Sequence, residues 1–162
     1  MNTKYLKPSM LLIAAVFLAF SLASCGGGGY GGGSSAGPAL TMISFSSALY
    51  GSSEVPSNMS AASGSGSATV AIASKALMAT VTTTGIVGTA AHIHEGAVGV
   101  SGPIIFPLAE MPSGSGKWST SVTLTDAQLA TLKAGGYYFN VHSAAYPAGE
   151  IRGQILMIGT GY

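Results

Sequence analysis

The 162-residue chain is poor in charged side chains and in cysteine, and each shortage removes a class of function. Only 7% of its residues are charged, whereas soluble domains usually carry about 25%. Six basic residues against five acidic ones leave no basic surface for a phosphate backbone, so we expect no nucleic-acid partner. The single cysteine excludes an internal disulfide and a multi-cysteine zinc site.

The N-terminal segment combines basic residues, a short apolar run and the cysteine. Lys4 and Lys7 precede an apolar run that extends from Met10 to Phe20. This run is too short for a membrane-spanning helix of about 20 residues, and it has the length of a secretory signal peptide. The segment ends with the sequence Leu-Ala-Ser-Cys at Cys25, which resembles the lipobox of bacterial lipoproteins. An ordinary signal peptide with an incidental cysteine is the alternative.

The lipobox resemblance implies that residues 1–24 are removed and that Cys25 carries a diacylglyceryl group and an acyl chain such as palmitate. From Cys25 onward four basic side chains stand against five acidic ones, so the lipid would provide the membrane attachment. The predicted location is the cell envelope. Gly26 replaces the aspartate that retains lipoproteins at the inner membrane, which favours the outer membrane in a Gram-negative source. The Gly/Ser-rich composition after Cys25 predicts a flexible tether over residues 25–42.

The remaining domain, residues 43–158, has the sequence pattern of short strands. Apolar and polar residues alternate with period two in segments separated by Gly, Pro and Ser, most clearly at 66–73, 118–124 and 137–142. We therefore predict an all-β fold, an antiparallel Greek-key-like sandwich or barrel. One short helix is predicted after Thr125, because Thr and Gln three residues apart form a capping-box pattern.

All three histidines lie in two of the predicted strands. His92 and His94 are two residues apart and therefore share a strand face. His142 lies on another strand, on the face that carries Tyr138 and Asn140. Three neutral imidazoles that converge would leave an open coordination position suited to copper or zinc. The alternative is a polar network without metal, because buried histidines often hydrogen-bond to the backbone.

A second polar group lies near the C-terminus and shares one predicted strand face: Glu150, Arg152 and Gln154. The carboxylate and guanidinium can pair with each other, or each can serve a neighbour across the sheet. We expect these three residues and Asn140 to form a structural polar network in which Arg152 acts as a clamp. We predict no catalytic residue, because a general base at Glu150 would need a raised pKa that the sequence does not indicate. Glu54 precedes Pro56 and is expected at a turn or sheet edge.

Several short motifs in a fixed order resemble one known family: Leu49-Tyr50-Gly51-Ser52-Ser53-Glu54-Val55-Pro56, Ala91-His92-Ile93-His94-Glu95-Gly96, Gly102-Pro103-Ile104-Ile105, Tyr138-Phe139-Asn140-Val141-His142-Ser143 and Pro147-Ala148-Gly149-Glu150-Ile151-Arg152-Gly153-Gln154-Ile155. Together they resemble the CHRD domain, a module named from chordin and found in bacterial secreted proteins. The resemblance implies an all-β extracytoplasmic domain without a settled activity. His92-Ile93-His94-Glu95 also has a fainter similarity to a copper-ligand strand of copper/zinc superoxide dismutase. The bridging histidine, zinc loop and disulfide pair of that enzyme have no counterpart here.

Three functions are therefore open at the level of the sequence. The first is a membrane-anchored lipoprotein whose CHRD domain is a binding or structural module for an unknown protein partner. The second is a copper- or zinc-binding lipoprotein that uses His92, His94 and His142. The third, a dismutase-type metalloenzyme, is disfavoured because the nearly neutral chain lacks a positive field to steer superoxide.

Overall fold

The computed structural model describes residues 41–161 of the chain. The predicted signal peptide, Cys25 and nearly all of the predicted tether lie outside these residues. Within them, no helix is long and apolar enough to cross a membrane.

The described residues form nine strands, a short 3₁₀ turn and a single α-helix. The elements in chain order are β1 (Met42–Tyr50), the 3₁₀ turn (Gly51–Ser53), β2 (Ser63–Ala71), β3 (Ala76–Thr84), β4 (Gly88–Glu95), β5 (Ile104–Glu110), β6 (Lys117–Thr123), α1 (Asp126–Lys133), β7 (Tyr137–Ser143), β8 (Ile151–Gln154) and β9 (Leu156–Gly161).

The sheet closes on itself as an antiparallel barrel. Eight strands follow one another in the order β2-β3-β6-β5-β4-β7-β8-β1. Pairing of β1 with β2, from Met42 opposite Ala71 to Tyr50 opposite Ser63, completes the ring. The ninth strand, β9, pairs with the first half of β1. The predicted all-β antiparallel fold with one short helix is confirmed, and of the two predicted architectures the strands form the barrel.

The alternation in the sequence determines which side chains face the interior. In β3, Leu77 and Val81 are buried in the core, whereas Met78 on the opposite face is exposed. In β7, Phe139 and Val141 are completely buried in the same core. A strand with period-two alternation buries one face of the sheet, and closure of the barrel brings these faces together.

The helix has the predicted cap. Thr125 Oγ1 accepts a hydrogen bond from the backbone N–H of Gln128 at 3.2 Å, and Gln128 Oε1 accepts one from the N–H of Thr125 at 2.9 Å. Leu132 is buried in the core, so the helix covers part of it. Gly135, at φ 72°, follows the last turn, where a left-handed residue ends the helix.

The sequence pattern missed the strand β1 and the division between β8 and β9. The C-terminal alternation predicts one continuous strand from residue 151 to residue 157, but β8 ends at Gln154 and β9 begins at Leu156. Between them the N–H of Ile155 donates to the carbonyl of Tyr137 at 2.9 Å, and the chain then pairs with β1 instead. The strand β1 received no prediction, because serines interrupt its apolar alternation.

Candidate metal centre

The outer face of β4, β7 and β8 carries a second layer, which is polar and buried or half-buried. His92 lies opposite Asn140, and His94 lies opposite Tyr138. On the far side of β7, Arg152 lies opposite Asn140 and Gln154 lies opposite Tyr138. We call this group the outer polar layer: His92, His94, Tyr138, Asn140, His142, Arg152 and Gln154. The register brings together the three histidines and three of the four residues predicted for the polar network.

A loop covers the outer polar layer and explains its burial. Arg152 Nη2 donates to the carbonyls of Ala97 at 3.0 Å and Val100 at 2.9 Å. Tyr138 Oη accepts a hydrogen bond from the N–H of Gly102 at 3.1 Å. Backbone carbonyls that are removed from water need hydrogen-bond donors. Here Arg152 supplies the donors to the loop carbonyls. As a result, the guanidinium-bearing Arg152 is only 2% exposed.

The three histidines converge. His92 Nδ1 lies 3.1 Å from His142 Nε2. The ring centroids are 5.0 Å apart for His92 and His142, and 5.6 Å apart for His92 and His94. One ring nitrogen from each histidine lies within 4.8 Å of the other two. The three histidines, which the sequence placed on two predicted strands, therefore lie close together.

Backbone carbonyls determine which ring nitrogens of His94 and His142 carry the proton. His94 Nδ1 lies 2.9 Å from the carbonyl oxygen of Gly102, and His142 Nδ1 lies 3.0 Å from that of Pro147. A carbonyl can only accept, so each Nδ1 carries the proton and each Nε2 keeps its lone pair. His94 Nε2 is buried and has no hydrogen-bond partner. Metal-binding histidines are held in the same way, with the second nitrogen donating to a carbonyl or carboxylate.

The surroundings favour neutral imidazoles. Burial is the main cause that lowers the pKa of both His92 and His94, and the neighbouring His142 lowers it further. At His94 the positive charge of Arg152 acts in the same direction. Because a metal ion binds the unprotonated ring, a low pKa keeps the site competent at neutral pH.

Arg152 stacks on the ring of Tyr138. Its Cζ lies 3.4 Å from the centroid of the Tyr138 ring. The other neighbour of that ring is His94, with centroids 5.0 Å apart and planes inclined by 15°. The guanidinium, the phenol and the imidazole therefore form one stack, an arrangement typical of cation–π contacts.

The direct pairing of Glu150 with Arg152 is not formed. The sole side-chain ion pair within residues 41–161 joins Lys75 to Asp126. Glu150 precedes β8 rather than continuing its face, and its Oε1 accepts a hydrogen bond from Ser60 Oγ at 2.6 Å. The sequence left two arrangements open, and the structure has the second. Glu150 and Arg152 do not pair with each other, and each contacts a different neighbour.

Glu54 belongs to this region, which the sequence did not indicate. Its side chain is 9% exposed, and its Oε2 accepts a hydrogen bond from Asn140 Nδ2 at 3.3 Å. Burial raises the pKa of Glu54 to about 7, against the opposing effects of Arg152 and Asn140. Gly149 lies alongside at φ 134°, and a Cβ there would stand 2.7 Å from the Asn140 amide and 2.8 Å from Glu54 Oε1. The sequence Glu54-Val55-Pro56 by itself predicts a turn. The packing of Glu54 against Gly149 depends on the fold, so the sequence pattern could not indicate it.

The described residues therefore form a closed antiparallel barrel whose outer face carries three neighbouring histidines. The CHRD domain model matches residues 45–155, and the chain belongs to the CHRD domain family. No curated protein and no solved structure matches the chain.

Proposed function

We propose that the protein is an envelope lipoprotein whose CHRD domain binds one copper or zinc ion through His92, His94 and His142. The observation that carries the proposal is the arrangement of lone pairs. The Nε2 atoms of His94 and His142 keep their lone pairs because Nδ1 of each contacts a backbone carbonyl, and His142 Nε2 lies 3.1 Å from His92 Nδ1.

The spacing of the nitrogens suits a small metal ion. Metal–nitrogen bonds of about 2.0–2.1 Å in a tetrahedral site separate two ligand nitrogens by about 3.3 Å. The 3.1 Å between His92 Nδ1 and His142 Nε2 is close to that value. One ring nitrogen of His94 lies within 4.8 Å of a ring nitrogen of each of the other two histidines, so a modest side-chain adjustment would complete the set. Three imidazoles are ligands suited to zinc and copper.

A polar network without metal explains the region less well. It accounts for the contact between His92 and His142, but it leaves His94 Nε2 buried without a partner. An unsatisfied buried polar atom costs about 1–3 kcal/mol. A metal ion bound at this nitrogen would remove that cost.

Metal content and affinity test the proposal on the full chain. We expect one copper or zinc ion per chain, and a rise in melting temperature when the ion is added. His94→Ala and His142→Ala should each reduce affinity at least 100-fold and abolish this rise, whereas Lys75→Ala, a remote surface control, should keep both. Wild-type protein without metal after loading, or full binding by the histidine variants, would refute the proposal.

The lipid anchor rests on the basic, apolar and Leu-Ala-Ser-Cys pattern that ends at Cys25. We expect Cys25→Ala to move the protein from the membrane fraction to the soluble fraction and to abolish labelling with palmitate. Its melting temperature should stay that of the wild type. Ser34→Ala, in the tether but outside the lipobox, serves as the control and should remain in the membrane fraction. Retention of Cys25→Ala in the membrane fraction would contradict the anchor.

A further inference from the structure

We propose that Arg152 makes the histidine site selective for monovalent copper, Cu(I), over divalent ions such as Zn²⁺. This inference rests on the proposed metal site and names the ion that the site prefers. Its basis is the stack of Arg152, Tyr138 and His94, which holds a buried positive charge behind one of the three ligands.

The ligands contribute no negative charge. The cluster that could hold an ion within residues 41–161 consists of His92, His94 and His142, without a carboxylate or thiolate. Three neutral imidazoles leave the full charge of the bound ion uncompensated. An ion of charge +2 therefore requires more compensation from its surroundings than an ion of charge +1.

Nearby carboxylates offset the charge of Arg152 only in part. Glu54 attracts Arg152 electrostatically but forms no ion pair with it, and its raised pKa of about 7 leaves it partly protonated at neutral pH. Glu150 accepts its hydrogen bond from Ser60 instead. Glu95 follows His94 on β4 but is exposed to water, where charges are screened.

The charge of Arg152 acts at short range and through a buried region. The guanidinium lies 3.4 Å from the phenol centroid, and the phenol lies 5.0 Å from the imidazole centroid, in nearly parallel planes. These contacts place the charge on the order of 10 Å from an ion at the triad. At an effective dielectric constant of about 20, the repulsion weakens binding on the order of tenfold for each unit of charge on the ion. Arg152 should therefore lower the affinity for Zn²⁺ about tenfold more than the affinity for Cu(I).

Parallel competition titrations test this selectivity. Cu(I) affinity is measured anaerobically under reducing conditions against a chromophoric Cu(I) chelator, and Zn²⁺ affinity against a Zn²⁺ chelator. Arg152→Gln removes the charge, Arg152→Lys keeps it, and Lys75→Gln removes a remote surface charge. We expect the ratio of Cu(I) to Zn²⁺ affinity to fall on the order of tenfold in Arg152→Gln and to change less than about threefold in the other two. An unchanged or increased ratio in folded Arg152→Gln would overturn the inference.

A second variant keeps the test valid if Arg152→Gln does not fold, which circular dichroism would show. Glu54→Gln removes a neighbouring negative charge while keeping the shape of the side chain. At pH 8, where Glu54 is largely ionised in the wild type, the substitution should raise the Cu(I)-to-Zn²⁺ ratio severalfold. No change in this ratio would overturn the inference.

The outcomes separate this inference from the proposed function. If neither ion binds to the wild type, the metal site itself is refuted and the selectivity with it. If both ions bind and require His94 and His142, but their ratio is insensitive to charge at Arg152 and Glu54, the metal site stands and only the selectivity is refuted.

Discussion

The two faces of β7 show how one strand serves both the core and the candidate site. Phe139 and Val141 point into the barrel and pack in its apolar core. Tyr138, Asn140 and His142 alternate with them and belong to the outer polar layer. Burial of apolar area, which is non-directional, stabilises the inner face, whereas directional hydrogen bonds hold the outer face. The inner packing therefore fixes the strand that positions the outer ligands.

The two layers also differ in how completely their polar atoms are satisfied. Among the described residues, the buried side-chain atoms without a hydrogen-bond partner are Glu54 Oε1, His94 Nε2 and Asn140 Oδ1 in or beside the outer polar layer, and Ser47 Oγ and Trp118 Nε1 elsewhere. Native interiors leave few such atoms unpaired, and each one lowers stability. Three of these atoms lie in or beside the outer polar layer, which is what the proposed metal site would require.

The largest effect should come from breaking the inner layer. Phe139→Ala removes a fully buried ring from the core and should lower the free energy of unfolding by about 3–5 kcal/mol. Denaturant unfolding followed by tryptophan fluorescence would measure this loss. Ile158→Ala, which truncates an exposed apolar side chain on β9, is the control and should cost little. A loss below about 1 kcal/mol for Phe139→Ala would contradict the assigned core.

The next effect is a pH dependence at Glu54, which contacts the outer polar layer through Asn140. Because the pKa of Glu54 is raised from 4.5 to about 7, the folded state retains a proton that the unfolded state releases. The stability linked to this proton is fully present below pH 4.5 and is lost as the pH rises through about 7. Relative to wild type, Glu54→Gln should therefore gain stability over this range, by at most about 3 kcal/mol.

Thermal unfolding from pH 4.5 to pH 8 would measure the gain. His92 and His94 have lowered pKa values, so their contribution to stability rises with pH; the difference between variant and wild type removes that trend. Glu95→Gln, at an exposed carboxyl group, should show no comparable change. A difference between Glu54→Gln and wild type that is independent of pH would show that Glu54 titrates as an ordinary acid.

The smallest effect tests a feature outside the outer polar layer. Thr125→Ala removes the oxygen that caps α1 and should cost about 1 kcal/mol. Thermal unfolding would show the loss, and Thr125→Ser, which keeps the hydroxyl oxygen, should restore most of it. Metal affinity should be unchanged, and a change would show that the helix and the histidine site are coupled.

Local patterns accounted for much of the barrel and for part of the site. Period-two alternation located β2, β6 and β7, and the two-residue spacing of His92 and His94 placed both rings on one face. The same alternation placed His142 on the face of β7 that carries Tyr138 and Asn140. The burial of Glu54 could not be predicted, because it depends on Asn140, which is 86 residues away in sequence. The carbonyl contacts at His94 and His142 come from loops 8 and 5 residues away, whose conformation the strand pattern does not specify. The division between β8 and β9 depends similarly on competition for pairing with β1.

The double pairing of β1 would have a mechanical consequence if the domain is anchored through Cys25, as we propose. Met42 starts a strand that is bonded to β2 along its whole length and to β9 over its first half. A pull on Met42 along the strand axis would load these bonds in parallel, in shear, rather than opening them one after another. The strand β1, which is the described element nearest in sequence to the predicted anchor, is thus the one best placed to withstand a pulling force on the domain.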